Sequence, residues 1–150
     1  MVGTLGNSAF SGCSSLTGEL NFNSRLSPIN PYIFNGCRSL SGAIKWPTST
    51  SITSIGEYAF NGCSSLSGEF INLPTSVNEI KEGAFQGCTG FTGPIILSNI
   101  KKVRSNAFHG CKGFSGSLTI KVADSDNPTI IEKGAFDGCT GFKMEFLTFL

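Results

Sequence analysis

Apolar residues return along this chain with a period near 25 residues. Six short phrases share one pattern: Ala9-Phe10-Ser11-Gly12-Cys13, Ile33-Phe34-Asn35-Gly36-Cys37, Ala59-Phe60-Asn61-Gly62-Cys63, Ala84-Phe85-Gln86-Gly87-Cys88, Ala107-Phe108-His109-Gly110-Cys111 and Ala135-Phe136-Asp137-Gly138-Cys139. Their cysteines are separated by 24, 26, 25, 23 and 28 residues. Five residues before each Phe stands an aliphatic: Leu5, Ile29, Ile55, Ile80, Val103 and Ile131. Three residues after each Cys stands a second large apolar residue: Leu16, Leu40, Leu66, Phe91, Phe114 and Phe142. Two residues further on comes Gly18, Gly42, Gly68, Gly93 or Gly116, with Met144 in the sixth copy. A fixed spacing of this length marks a repeat architecture, in which one small unit stacks on its copies.

Within each unit the pattern predicts three elements. Polar and apolar residues alternate after the Gly, as in Glu19-Leu20-Asn21-Phe22, Ala43-Ile44-Lys45-Trp46 and Ser117-Leu118-Thr119-Ile120. That period of two is a strand with one face inward. The third copy, Glu69-Phe70-Ile71-Asn72-Leu73, has one extra residue and reads as a bulge. Pro47 and Pro74 end their strands, since Pro lacks the N–H that a ladder needs. The aliphatic ahead of the Phe lies in a second, shorter strand, as in Ile52-Thr53-Ser54-Ile55. The Ala-Phe-x-Gly-Cys phrase then forms a helical turn or 3₁₀ piece stopped by its Gly. A single coil cannot bury its apolar side, so the coils stack and their Phe, Cys and aliphatic residues form interior ladders. At the strand spacing of ~4.8 Å, six coils span roughly 25–30 Å. Residues 1–150 are thus expected to form one solenoid domain of about six coils, without clear caps.

The phrase Ala-Phe-x-Gly-Cys-x-x-Leu, followed by a strand, Pro and Val/Ile-x-x-Ile-Gly, resembles the BspA-like leucine-rich repeat family. Ile52-Thr53-Ser54-Ile55-Gly56-Glu57-Tyr58-Ala59-Phe60-Asn61-Gly62-Cys63 is the copy most similar to it. The added Gly of Leu-Ser/Thr-Gly-x-Leu resembles the variant multiplied in surface proteins of parasitic protists. The likeness runs over about residues 2 to 149. It implies a right-handed leucine-rich-repeat solenoid with a parallel sheet on one face and short strands or 3₁₀ turns on the other. It also implies a cell-surface protein that binds host proteins or other cells without catalysis. The chain departs from the pattern at Pro128, which stands where Leu26, Ile52, Val77 and Ile100 stand in other copies, and at an insertion over residues 122–127. The Asn that usually follows the strand in leucine-rich repeats is missing.

Composition narrows the function. Charged residues are 14% and the net charge is +1, against roughly 25% charged in an average soluble protein. A nucleic-acid partner needs a concentrated basic surface and is not expected. A single His removes His-pair metal sites and most acid–base catalysis at neutral pH. No catalytic residue, cofactor or metal ligand is therefore assigned. Phe occurs 13 times against 2 Tyr and 1 Trp, the mark of one residue copied into a repeated slot. The six cysteines contain no Cys-x-x-Cys. Stacked one per coil they would lie at the strand spacing, wider than the ~3.8 Å Cβ separation of a disulfide, and they read as a shielded ladder of reduced thiols. His109 shares its slot with Ser11, Asn35, Asn61, Gln86 and Asp137 and reads as part of an exposed turn. Lys101-Lys102-Val103-Arg104 reads as a solvated edge. The glycines fit tight solenoid corners, with no phosphate-loop spacing among them.

The outward residues of the strands are the candidate binding face, because solenoids recognise partners over an extended sheet. They are Glu19, Asn21, Ala43, Lys45, Asn72, Ile96, Ser117 and Thr119. A low-charge face without a deep pocket suits a protein ligand better than a small molecule. The leading expectation is adhesion or protein recognition at a cell surface; the alternative is an intracellular interaction scaffold. No apolar run approaches the ~18–20 residues of a membrane span, so direct membrane insertion is not expected. No signal peptide is visible at Met1-Val2-Gly3-Thr4-Leu5. The repeats favour an internal piece of a longer surface or secreted chain. The sixth copy ends Met144-Glu145-Phe146-Leu147-Thr148-Phe149-Leu150, mostly apolar, which predicts a contact surface there: either the isolated chain self-associates end to end, or the natural protein continues or pairs there.

Overall fold

Repetition along the chain becomes stacking in space. A computed structural model of the protein describes residues 4–24, 28–48, 50–70, 73–121 and 128–143, and the backbone of 148–149. Among the described residues nine short strands follow one another: β1 (Ser54–Ile55), β2 (Gly68–Glu69), β3 (Glu79–Ile80), β4 (Phe91–Thr92), β5 (Ile95–Ser98), β6 (Lys102–Val103), β7 (Leu118–Lys121), β8 (Ile130–Ile131) and β9 (Thr148–Phe149). Every pairing between them is parallel. The aliphatic strands form one sheet in the order β1-β3-β6-β8. Its register sets Ile55, Ile80, Val103 and Ile131 in a row, and a bridge from Ile55 adds Ile29. The strands after each Gly form the pair β2-β4 and the sheet β5-β7-β9. Partners in both sets lie one coil apart; in the aliphatic sheet and in β5-β7 each residue stacks on its own copy, whereas in β2-β4 Gly68 pairs with Phe91, two residues short of its copy Gly93.

The core is built on two ladders of phenylalanine. Phe10, Phe34, Phe60, Phe85, Phe108 and Phe136 stack ring on ring, with centroids 5.4, 5.7, 5.2, 5.4 and 5.1 Å apart and planes within 15° of parallel. Phe91, Phe114 and Phe142 make the second ladder. Phe70 wedges between the two, edge-on to Phe85, Phe91, Phe108 and Phe114 at 5.0–5.9 Å. Offset-stacked and edge-to-face rings are the favoured arrangements of aromatic quadrupoles. Among the described residues no polar or charged side chain is buried.

The Ala-Phe-x-Gly-Cys phrase is a succession of turns and not the 3₁₀ piece expected. Alternate N–H groups close i to i−3 bonds, as in Ala59 to Gly56 and Asn61 to Tyr58 (both 3.2 Å). The N–H groups between them leave the coil: Phe60 donates to Ala84 O and Gly62 to Gln86 O (both 2.8 Å). Left-handed residues make this alternation possible. The slot two residues before the Phe holds Ser8, Tyr32, Tyr58, Gly83, Asn106 and Gly134, all with φ of 51–72°. A tyrosine rarely adopts that conformation. Tyr32 and Tyr58 stack on each other at 5.3 Å, and the Tyr58 hydroxyl donates to Glu82 (2.9 Å). A Cβ on Gly83 would strike the Tyr58 ring, so the fourth residue of this row has to be glycine.

Expectations need correction at the end coils. Cys13 is exposed and Cys139 half-buried, so only Cys37, Cys63, Cys88 and Cys111 form the shielded part of the ladder. Leu16, expected inside, is 37% exposed, because no coil lies on that side of it among the described residues. The strand of the first two coils is also less regular than expected, reduced to bridges such as Gly18 with Leu40 and Asn21 with Lys45. The expected bulge at Ile71-Asn72, the insertion over 122–127 and the side chains of residues 144–150 lie outside the described residues.

The thiols are fixed by one recurring hydrogen bond. Cys37, Cys63, Cys88, Cys111 and Cys139 each donate Sγ–H to the Phe carbonyl of the preceding coil, at 3.0–3.1 Å. Burial, then the neighbouring Cys37, pushes the Cys63 thiol up to about 12, and burial raises Cys37 and Cys88 as well. Thiolate is the reactive form, so these groups are inert at neutral and mildly alkaline pH. Alkylation of the native protein is expected to modify Cys13 first and Cys139 more slowly. The other four should react only in denaturant, as read by peptide mass spectrometry. Equal labelling of all six in the native state would contradict the ladder.

Position in the stack also sets energetics. Phe60 is fully buried between two rings, whereas Phe10 is half-buried with one ring neighbour. Truncating a buried Phe to Ala costs ~3–5 kcal/mol. Phe60→Ala is expected to fall in that range by denaturant unfolding, and Phe10→Ala clearly below it.

Candidate functional site

The strand after each Gly turns alternate side chains outward, and the structure divides the expected binding residues into two groups. Glu19, Asn21 and Lys45 form the first, on the first two coils. All three are exposed, Asn21 bridges to Lys45, and Lys45 Nζ is ion-paired with Glu19. Ala43 is half-buried beside them. Ile96, Ser117 and Thr119 form the second group, on β5 and β7. Ile96 and Thr119 are register partners. Ile96 is 49% exposed, flanked by Ile95 and Leu97 at 0% and 1%, as strand alternation dictates. Ser117 and Thr119 are half-buried. Asn72, expected between the groups, lies outside the described residues.

Beside Ile96 the face is indented. A cavity of about 160 Å³ is lined by Leu73, Thr75, Ile96, Leu97, Ser98 and Ile100. Leu73, Thr75 and Ser98 were not anticipated as part of this face. Leu73 and Ser98 stand at the ends of alternating segments and Thr75 just beyond one, positions that no repeated residue type marks. The volume suits one side chain of a partner rather than a drug-sized ligand, whose sites run ≈ 300–1,000 Å³.

The opposite sheet carries the charge. Arg104 reaches Glu79 of the coil before it (Nε to Oε1, 2.6 Å) and Glu132 of the coil after it (Nη1 to Oε1, 2.8 Å). Glu132 also accepts from the Ser105 N–H and hydroxyl, at 3.0 and 3.1 Å. Glu57, Lys81 and Glu82 complete the rim of a shallow depression there. The expected solvated edge at residues 101–104 is therefore corrected at Arg104, which clamps three coils; Lys101 is exposed, and Val103 is buried in the aliphatic row as its slot implied. The variable slot of His109 is likewise more than an exposed turn. Asn61 Nδ2 donates to Asn35 Oδ1 (2.8 Å), Asn35 Nδ2 to Ser11 Oγ (3.3 Å), and His109 Nδ1 lies 3.4 Å from Asp137. Among the described residues no group of three His, Cys, Asp or Glu is placed to hold a metal ion.

The Arg104 clamp gives a pH signature. The hydrogen bond from Arg104, then that from the Ser105 N–H, holds the Glu132 carboxyl below its usual value. A carboxylate with a lowered folded pKa stabilises above its unfolded pKa and loses that contribution as pH falls through the folded one. Arg104→Met is therefore expected to destabilise the protein modestly at neutral pH. The gap to the wild type should narrow as Glu132 protonates in acid, as measured by thermal unfolding across pH. A gap independent of pH would show that the clamp acts through packing alone.

With the coils and faces laid out, comparison with known proteins gives the class. Residues 1–115 match the BspA type leucine rich repeat region in six copies, and the chain belongs to this family. The Cys139 coil lies beyond the matched span, yet β8 and the Phe136 ring continue the stack in register. Among solved structures, the crystal structure of a T. pallidum leucine rich repeat protein (TpLRR) is similar. Its TM-score is 0.68 at 23% sequence identity, over 95% of this chain and 72% of that one. No curated protein matches the chain. Leucine-rich repeats of this kind are protein–protein interaction modules and are typically non-enzymatic. Among the described residues no helix is long and apolar enough to cross a membrane.

Proposed function

We propose that this protein is an adhesion or recognition module of a cell-surface or secreted protein, and that it binds a protein ligand through the face carrying Glu19, Asn21, Lys45, Ile96, Ser117 and Thr119. Asn72 is assigned to the same face by its place in the repeat. We read residues 1–150 as one solenoid domain. The observation that carries the reading is Ile96, a large apolar side chain half exposed at the centre of the longest paired strands and bordering a cavity sized for one side chain. A partly exposed apolar residue among Leu73, Leu97, Ile100 and the uncharged Thr75, Ser98 and Thr119 has the composition of an interface centre. Family membership supports a protein partner, and repeats of this type typically belong to surface proteins. The low overall charge fits recognition by shape and hydrogen bonding.

The test uses purified protein immobilised for attachment of cells, beside an Ile96→Lys, Thr119→Lys variant. Both positions point away from the core, and thermal unfolding of the variant separates lost attachment from the destabilisation that two lysines opposite each other in register bring. Wild-type protein is expected to support attachment and the variant to lose most of it. Equal attachment by both would remove the sheet face from the reading. Binding confined to cytosolic proteins, with the tagged full-length gene product retained inside its cell, would favour the scaffold instead.

A further inference from the structure

Charges on the outside of this solenoid are met from one coil to the next. Lys45 Nζ is ion-paired with Glu19 of the coil before it, and Arg104 lies between Glu79 and Glu132. Lys121 breaks that rule. It ends β7, it is exposed, and its register partner in the coil before is the uncharged Ser98. Among the described residues no carboxylate is paired with it. Strand alternation fixes which way it faces. In β5 Ile96 and Ser98 are exposed between and beyond the buried Ile95 and Leu97, and in β7 the buried Ile120 precedes Lys121. Lys121 therefore stands on the same outward side as Ile96, directly beside Ser98 and diagonal to Ile96.

The cavity beside Ile96 is lined by Leu73 and Thr75 of one coil and by Ser98 and Ile100 of the next. Its middle falls between those two coils. Lys121 belongs to the coil after them, about one and a half strand spacings away, or ~7 Å. Charge around the cavity is one-sided. Between Glu82 and Asp124 the sequence holds five basic residues, Lys101, Lys102, Arg104, Lys112 and Lys121, and no acid. Lys101 is exposed and directly follows the lining residue Ile100. Glu69, the exposed acid of the coil that supplies Leu73, stands four positions ahead of it, at the other end of the alternating segment.

We propose that the protein ligand of this face presents an apolar side chain with an Asp or Glu two residues along, the apolar group filling the cavity and the carboxylate meeting Lys121. This rests on the reading of the face as a binding surface and adds the chemistry of the partner. In an extended segment, residues two apart face the same side at ~6.6–6.8 Å, which matches the distance from the cavity to Lys121. An apolar anchor seated in a pocket supplies affinity. A charge at the rim sets partner choice and the rate of encounter. A basic segment on the same anchor would bring like charges together at Lys121, so the face also selects by repulsion.

The test titrates the whole chain with short peptides and follows its amide NMR signals. The parent peptide is Gly-Gly-Leu-Gly-Glu-Gly-Gly, blocked at both ends so that Glu is its only charge. Comparison peptides carry Gln or Lys in place of Glu, or Ala in place of Leu. At millimolar concentration the parent is expected to shift the Ile96, Ser98 and Lys121 signals. The Gln peptide should bind roughly two- to five-fold more weakly, the worth of one exposed ion pair. The Lys peptide should bind more weakly again, and the Ala peptide should leave the Ile96 signal unmoved. In Lys121→Glu the order should reverse, with the Lys peptide above the Glu peptide. Lys121→Gln, the milder change, should bind the Glu and Gln peptides alike. Added salt should shrink the wild-type preference. Equal binding of the Glu, Gln and Lys peptides at these signals overturns the acidic partner and leaves the sheet face standing as a binding surface, as does an unchanged order in Lys121→Glu. Shifts confined to other parts of the surface, or none, overturn the proposal at the cavity. Cell attachment with the Ile96 and Thr119 substitutions decides the wider reading on its own.

Discussion

The ring stack of Phe10, Phe34, Phe60, Phe85, Phe108 and Phe136 is the constraint on which the remaining structure depends. Its centroid separations of 5.1–5.7 Å are close to the ~4.8 Å between paired strands. Rings with a small lateral offset reach that separation while their planes keep van der Waals contact. The same rise therefore serves an aromatic column, a parallel ladder and a turn-to-turn hydrogen bond. A residue too small at a Phe position would leave a gap on both sides, and the ladders beside it would lose their spacing. This also explains why the coil can vary from 23 to 28 residues. Length differences are absorbed after the strand, in segments such as 122–127, while the spacing from the aliphatic through Phe to Cys never changes.

What the sequence made legible follows from that constraint. Positions that must match their copies above and below repeat visibly: the Phe, the Cys, the aliphatic five residues ahead of the Phe. The aliphatic row came out in the register its spacing implied. Positions that interact between coils without matching were not legible. Arg104 meets Glu79 and Glu132, three different residues in neighbouring coils, and each alone reads as an exposed charge. Comparing columns across coils, rather than reading along the chain, is the signal that would have found the clamp. The same holds for Asn35 and Asn61, whose amide contact looks along the chain like a variable polar slot. End effects were hidden for another reason. Cys13 and Leu16 carry the residue types of their buried copies, and only the absence of a neighbouring coil among the described residues exposes them.

The turn phrase shows local preference yielding to stacking. Its Gly and short length favour a 3₁₀ turn, in which every N–H would bond within the coil. Here alternate N–H groups point outward and bond the next coil, and left-handed residues such as Tyr58 (φ 51°) turn the chain so that they can. A strained tyrosine costs of order 1–3 kcal/mol. The intercoil bonds and the Tyr32–Tyr58 stack offset that cost, and they do so only within the stack. An isolated coil would have neither, which is why a unit of this kind exists only as part of an array.

Recognition then has to reside in the columns that stacking leaves free. Inward columns are held to Phe, Cys, Leu, Ile and Val by the spacing, but the outward column running through Asn21, Lys45, Ile96 and Thr119 contacts no ring ladder and differs at every coil. Substituting one of these residues changes the surface without disturbing the rise between coils. A solenoid therefore separates the residues that hold it together from those available to a partner more cleanly than a globular domain, where a single strand residue often serves both. The glycines sharpen the separation. At Gly68 and Gly93, with φ of 86° and 76°, the chain turns from the core column into the outward strand within one residue, so the change of face is set by backbone and leaves the following side chains unconstrained.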